Sequence, residues 1–301
     1  MSFNFANLRA YVRAWLRMPF AVRDLGNRVE RLTFSLGCVQ DRVNLAASFP
    51  RGCEYQVFSQ GGDDGIIQRL VCETPIQARV FVEFGVQNYV ESNTRFLLLK
   101  DNWSGLVMDG SEKNIEFIQR DPIYARHDLK AVCAFVKTTN INQLLEENLP
   151  AKSIGLLSVD IDGNDYWIWK AIHCVEPAIV ITEYNFRFGP SRAVTVPYDE
   201  NFMREQAHYS HIYYGASLKA LWILAKEKGY DLVCCNSYGN NAFWIRKDLR
   251  PPSLPALTSE EAYCAAKFRE ARDPNGCLAF LTLEEELKIL EKLPLVEIHE
   301  Q

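Results

Sequence analysis

Between residues 79 and 229 the chain repeats one unit five times: a short apolar run, then a stretch with apolar residues at helical spacing. The runs fall at 79–84, 104–109, 128–136, 154–160 and 177–183. Helical patterns occupy 92–102, 111–120, 140–149 and 164–173, and a fifth follows at 217–229. Runs this short, bounded by polar turns, read as buried strands. Strands that alternate with helices build a parallel, doubly wound sheet through right-handed crossovers. The last two runs, 230–235 and 241–246, are joined by about five residues, too few for a parallel crossover, so they must pair antiparallel. The expected fold class is α/β, a doubly wound seven-stranded Rossmann-like sheet with an antiparallel last strand.

Three regions are expected: a helical N-terminal extension over 1–50, the sheet domain over 51–250 and a helical tail over 251–301, with its helix at 282–293. Within the extension, Leu25, Val29, Leu32, Leu36, Val39 and Val43 are spaced 4, 3, 4, 3, 4, the period of a coiled-coil seam. Gly37 weakens that seam. A helix packed on its own domain and a homo-oligomer contact both fit the pattern. Before it, Phe5, Leu8, Tyr11, Val12, Trp15 and Leu16 mix with Arg9, Arg13 and Arg17. Such a basic amphipathic helix suits either a docking helix or peripheral contact with an anionic membrane surface.

The net charge of -5 supplies no basic field for nucleic acid, so no nucleic-acid partner is expected. Nine scattered cysteines without a C-x-x-C pair fit a reducing compartment. No apolar run is long enough to cross a membrane, and arginines interrupt any signal-peptide core. The expected location is cytoplasmic, or peripheral to the inner face of the membrane.

Open α/β sheets bind ligands beyond the carboxyl ends of their strands. Four of those ends are acidic: Glu83 before Gly85, Asp109 before Gly110 and Ser111, Asp160 with Asp162, and Glu183 before Asn185. Asp109, 24 residues after Gly85, is placed to accept hydrogen bonds from a ribose diol. The dinucleotide fingerprint G-x-G-x-x-G is missing, since Val86, Gln87, Asn88 and Tyr89 follow Gly85. A pyrophosphate would have no glycine nest, which disfavours a nicotinamide dinucleotide. A ribose-bearing cofactor without phosphates, such as S-adenosylmethionine, suits the site better, and its cationic groups favour acidic surroundings.

The segments FSQGGDDGII, VEFGV, LVMDGS, LLSVDIDGNDYWIW and IVITEYN resemble FkbM-type enzymes, a group within the class I S-adenosylmethionine-dependent methyltransferases. The resemblance spans roughly residues 55–246. It implies a methyltransferase-type sheet, S-adenosylmethionine as cofactor, and O-methylation of a sugar hydroxyl on a glycan or polysaccharide precursor. It makes Glu83 and Gly85 the first cofactor motif, although Gln87 stands where the family carries a second glycine. Asp109 becomes the ribose acid, with Gly110 and Ser111 beside it. Asn93 and Asp160 complete that side, and Gln60 and Asp64 are expected near the cofactor.

The stretch VDIDGNDY is not an EF-hand, because glycine stands at the fourth position of its loop and Ala171 at the twelfth. Two readings stay open. In one, Asp160, Asp162, Glu183 and Asn185 form an all-oxygen site for Mg²⁺ or Mn²⁺, as in catechol-type O-methyltransferases, and the ion acidifies an acceptor hydroxyl. In the other, Asp160 and Asp162 cap the following helix and hold the cofactor's ammonium group. Asp160, His208 and His211 are the candidate catalytic groups, the two histidines because they titrate near neutrality. Rival functions are O-methylation of a small natural product and a non-catalytic scaffold derived from a methyltransferase.

Overall fold

A computed structural model describes the backbone of residues 5–44 and 47–300, and the side chains from Met18 onward except 19 and 23. A single helix, α1, runs over Phe5–Asn44. The basic face expected between Phe5 and Arg17 lies outside the described side chains. Helix α2 (Asp63–Glu73) leads into the alternating region. There β1 (Val80–Phe84) is followed by α3 (Arg95–Asp101), β2 (Ser104–Asp109), and the short helices α4 (Glu112–Arg120) and α5 (Pro122–Arg126). Next come β3 (Leu129–Cys133), α6 (Ile141–Asn148), β4 (Ser153–Val159), α7 (Asp165–Ala171) and β5 (Glu176–Glu183).

The long connection holds a two-residue strand, β6 (Val194–Thr195), and one turn of helix, α8 (Arg204–Ala207). Helix α9 (Leu218–Glu227) then precedes β7 (Tyr230–Cys235) and β8 (Asn241–Arg246). Two capped helices, α10 (Ser259–Ala262) and α11 (Leu283–Leu290), and the short β9 (Val296–Glu297) complete the chain.

Seven strands form one sheet in the order β3-β2-β1-β4-β5-β8-β7. All pairs are parallel up to β5, and β8 runs antiparallel to both β5 and β7. The architecture is therefore a doubly wound, Rossmann-like sheet with a reversed last strand, preceded by a long helix. The strands are apolar on both sides because helices cover both sides. On one face, Val82, Leu106, Leu157 and Val180 meet α6, α7 and α9. On the other, Phe81, Val107, Leu156 and Ile179 meet α2, α3 and α4.

Trp169 and Trp167 divide between sheet and connection, as their places on α7 require. Trp169 packs 5.6 Å from the ring of Trp244 on β8, whereas Trp167 donates its indole N–H to the Val196 carbonyl at 2.9 Å. The expected third strand is shorter than its apolar run. It ends at Cys133, after which Phe135 turns out to solvent.

The segment after residue 250 packs back on the sheet domain. Tyr184 Oη donates to the Cys264 carbonyl at 2.6 Å, and Tyr263 Oη to that of Phe186 at 2.7 Å. Strand β9 pairs with β6, and the fully buried Arg187 meets Glu286 at 2.9 Å. Among the described residues no helix is long and apolar enough to cross a membrane.

Candidate active site

The strand order reverses between β1 and β4, and a cavity of about 480 Å³ opens beyond the carboxyl ends of those two strands. This is where open α/β sheets receive ligands. Its walls carry Glu83, Glu91, Asp160, Asp162, Glu183 and Glu270 against Arg204 and Arg269. The lining is thus six acids to two cations, a field that favours a positively charged ligand. A smaller hollow of about 180 Å³ adjoins it and shares Gly85, Gln87, Asp160 and Asp162. Asp109 and Gly110 line that hollow together with apolar Met108, Phe135, Val136 and Phe202.

The loop after β1 is held by two acids. Asp109 accepts the Gln87 N–H at 2.8 Å on one oxygen, and the Ser111 N–H and Asn114 amide at 2.8 and 3.0 Å on the other. A carboxylate has about four acceptor positions, so capacity for a further donor remains. Glu83 is buried, and its oxygens accept the N–H groups of Asn93 and Thr94 at 2.9 and 3.1 Å and the Thr94 hydroxyl at 2.5 Å. Burial raises its pKa, and those donors oppose the rise. The Asn93 amide in turn reaches Ser158 Oγ at 3.1 Å. Glycine is required at Gly85 (φ +70°), because a Cβ there would sit 1.8 Å from the Asp160 carbonyl oxygen. The close approach is thus to the backbone of the next strand end, in addition to the space left for a ligand.

The turn 160–165 is organised by its last acid. Buried Asp165 accepts the N–H groups of Ile161 and Gly163, each at 2.9 Å, and burial pushes its pKa up to about 6. Helix α7 is therefore tied to its turn by Asp165, and Asp160 and Asp162 are left facing the cavity. Asp160, Asp162 and Glu183 each bring a carboxylate oxygen within 4.8 Å of the others. Glu183 is buried, and its Oε2 has no hydrogen-bond partner. Desolvation raises the pKa of both Asp160 and Glu183. For Asp160 the next cause is Asp162 and for Glu183 it is Asp160, while Arg204 pulls both down.

Several expected residues stand elsewhere. Asn185 is buried and turned away from the three acids. Its amide donates to the carbonyls of Ile212 and Tyr214 at 2.9 and 3.1 Å, and its oxygen accepts the Arg187 N–H at 3.2 Å. It cannot serve the acidic cluster without breaking these bonds. Asp64 is equally committed. One of its oxygens accepts the N–H groups of Val57, Phe58 and Ser59 at 2.7, 2.8 and 2.8 Å, so it shapes the turn before α2 and does not line the cavity. Gln60 does line it and bonds Glu91 at 2.6 Å. His208 and His211 lie outside the lining. His208 Nδ1 is engaged with Ser210 Oγ at 2.7 Å, and burial lowers its pKa. His211 offers its carbonyl to Arg204 Nε at 2.8 Å.

What the long connection brings to the cavity is Arg204. Its Nη1 lies 2.8 Å from Asp162 Oδ1, its Nη2 lies 2.7 Å from Glu270 Oε1, and its guanidinium sits 3.7 Å from the centroid of Tyr214. Tyr238 and Phe268, stacked at 4.7 Å, also line the cavity. Arg204, Glu270 and Phe268 carry no motif. An arginine in a loop rich in aromatics was the one available signal, and Glu270 had none.

The sequence matches no family model and no curated protein. Solved structures resemble the fold. An O-methyltransferase from Bacillus cereus, in complex with SAH, is 16% identical, with 71% of this chain and 89% of that chain covered and a TM-score of 0.40. A putative caffeoyl-CoA O-methyltransferase from Staphylococcus aureus is 12% identical, with 61% and 82% covered and a TM-score of 0.37.

Proposed function

We propose that this protein is an S-adenosylmethionine-dependent O-methyltransferase whose acceptor is a sugar hydroxyl on a glycan or polysaccharide precursor. The observation that carries the reading is the acidic cavity at the β1–β4 reversal, flanked by Asp109 at the end of β2. When bound, S-adenosylmethionine supplies an electrophilic methyl group on a cationic sulfur. Asp109 has acceptor capacity for a ribose hydroxyl, and the exposed Phe135 offers apolar surface to a planar base. The acids around Asp160 suit the cofactor's positive charges. Tyr238 and Phe268 line the cavity with aromatic surface of the kind that packs against sugar C–H groups, which is compatible with a carbohydrate acceptor.

Methylation of a hydroxyl needs its proton removed. Asp160 is the base, because its raised pKa brings it closer to the range in which a carboxylate takes a proton efficiently at neutral pH. A divalent ion is the alternative within the proposal, in which Asp160 ligates the ion and is no longer the base. Three hard oxygen donors within 4.8 Å and the partnerless Glu183 Oε2 fit Mg²⁺ or Mn²⁺, with Asp160, Asp162 and Glu183 as ligands. The ion would acidify the acceptor hydroxyl. Arg204 supplies positive charge on the same side.

Calorimetric titration with S-adenosylhomocysteine, with and without Mg²⁺ or Mn²⁺, tests the reading. Micromolar binding is expected, strengthened by metal. No heat in either buffer would favour the scaffold reading instead.

A further inference from the structure

We infer that the protein dimerises through the outer face of α1, as a parallel two-stranded coiled coil with a second copy of the same chain. This rests on α1 alone and is independent of the proposed chemistry. Seven side chains, Val22, Leu25, Val29, Leu32, Leu36, Val39 and Val43, follow one another at spacings of 3 and 4, and each is between 54% and 70% exposed. An isolated domain rarely leaves a contiguous apolar stripe of this kind in water.

The opposite face of the helix is already used. Glu30 pairs with the buried Arg95 at 2.9 Å, Asp41 pairs with Lys100 at 3.0 Å, and the ring of Phe34 lies 5.9 Å from that of Phe96. Gly37 belongs to this docking face. A Cβ there would meet the Val57 side chain at 2.4 Å, so the glycine lets the helix sit close to the domain and leaves the seam uninterrupted. One helix thus carries two stripes, one spent on its own domain and one open.

Three features identify the occupant as another copy. The open stripe keeps a strict period of 3.5 residues, the narrow seam of a coiled coil, where a lipid-facing helix needs a broader apolar face. Taking Val22 as the first core position puts Val22, Val29, Leu36 and Val43 at a, and Leu25, Leu32 and Val39 at d. β-Branched residues at a with leucine at d favour parallel dimers. In that register the flanking pairs are Ala21 with Gly26, Arg28 with Thr33 and Ser35 with Gln40, so no like charges meet. Residues 18–44 carry four arginines against three acids, far from the polybasic face that anionic lipid selects.

The area is also sufficient. Covering seven side chains of this size removes on the order of 700 Å² from each partner, near the ~800 Å² per partner of a standard interface. The domain docks on the other face of α1, though Tyr55 and Gln56 flank the stripe beside Val29, Leu32 and Leu36.

Sedimentation equilibrium of the 301-residue chain tests this. A dimer is expected at micromolar concentration, and Leu32→Asp should make it monomeric while near-ultraviolet circular dichroism stays unchanged, since Leu32 is 70% exposed. Leu32→Cys should form a disulfide-linked dimer on mild oxidation, because d residues face each other in a parallel coil. Asn27→Cys, on another face, should cross-link no more than the wild type. A monomer throughout, or a dimer that survives Leu32→Asp, overturns the proposal. So does a wild type that stays monomeric and binds phosphatidylserine vesicles through the same stripe.

Discussion

Arg204 and Asp162 are joined at 2.8 Å although 42 residues separate them, and the same guanidinium reaches Glu270 at 2.7 Å. Arg204 is thus one of the two cations of the acidic cavity, and it competes with any metal for Asp162. Replacing it by alanine should raise the affinity for Mg²⁺ or Mn²⁺ roughly tenfold, about 1.4 kcal/mol, read by calorimetry. Arg204→Lys should fall between, because an ammonium cannot bridge two carboxylates in a planar fork. Unchanged metal affinity in both variants would remove Arg204 from the argument.

The raised pKa of Asp160 has a direction that kinetics can read. A base works only when deprotonated, so kcat/KM should climb with pH through a midpoint above the ordinary carboxylate range. Asp160→Asn should lose most activity and flatten this limb, while S-adenosylhomocysteine still binds. An intact limb in the variant would assign it to another group.

Asp109 serves the loop and, on the proposed reading, the ribose. Asp109→Ala should weaken S-adenosylhomocysteine binding by about 10- to 100-fold, the worth of a charge-assisted hydrogen bond. It should also lower Tm, because the Gln87, Ser111 and Asn114 donors lose their acceptor. A lower Tm with unaltered affinity would leave Asp109 a purely structural acid.

Gly85→Ala should destabilise the fold by about 3 kcal/mol or more, measured by denaturant unfolding. Both the positive φ and the 1.8 Å overlap with a backbone oxygen resist relaxation. A loss below ~1 kcal/mol, the cost of positive φ alone, would show that the Asp160 carbonyl can move aside.

Asp63 gives a stability prediction. It is fully buried, accepts from the amides of Asn236 and Asn241 at 2.7 and 2.8 Å, and burial pushes its pKa up to about 7. The folded state therefore holds this proton more tightly than the unfolded chain. Stability should fall as pH rises from about 4 to 7, by a few kcal/mol at most. Asp63→Asn cannot ionise, so its unfolding free energy should vary less across that window. An identical slope in both proteins would place the linkage elsewhere.

The strands and most helices were legible because the central strands are apolar on both sides and the turns are polar, while the edge strand β3 alternates. The runs 104–109, 230–235 and 241–246 coincide with β2, β7 and β8. Acids at strand ends could be found for the same reason, since a strand's last residue fixes where its side chain emerges. Beyond the last residue that logic stops. Asn185 follows Glu183 by two positions, yet its amide turns to the carbonyls of Ile212 and Tyr214, a choice set by a loop nearly thirty residues away. Asp64 and His208 are likewise drawn to local backbone or hydroxyl partners, and His211 lies outside the cavity lining. Arg204, Phe268 and Glu270 arrive from segments with no periodicity, so only the folded chain reveals them.

The strap that delivers Phe268 and Glu270 has a consequence for the order of synthesis. By residue 246 every strand of the main sheet exists, and the chain can begin to assemble its core. The cavity wall at 268–270 and its anchors at Glu286 and β9 are translated afterwards. A nascent chain thus passes through a stage with a closed core and an open pocket. Competence to hold a ligand is then expected as a late, separate event, and a cut within 271–282 would sever the wall from its anchors while sparing the sheet.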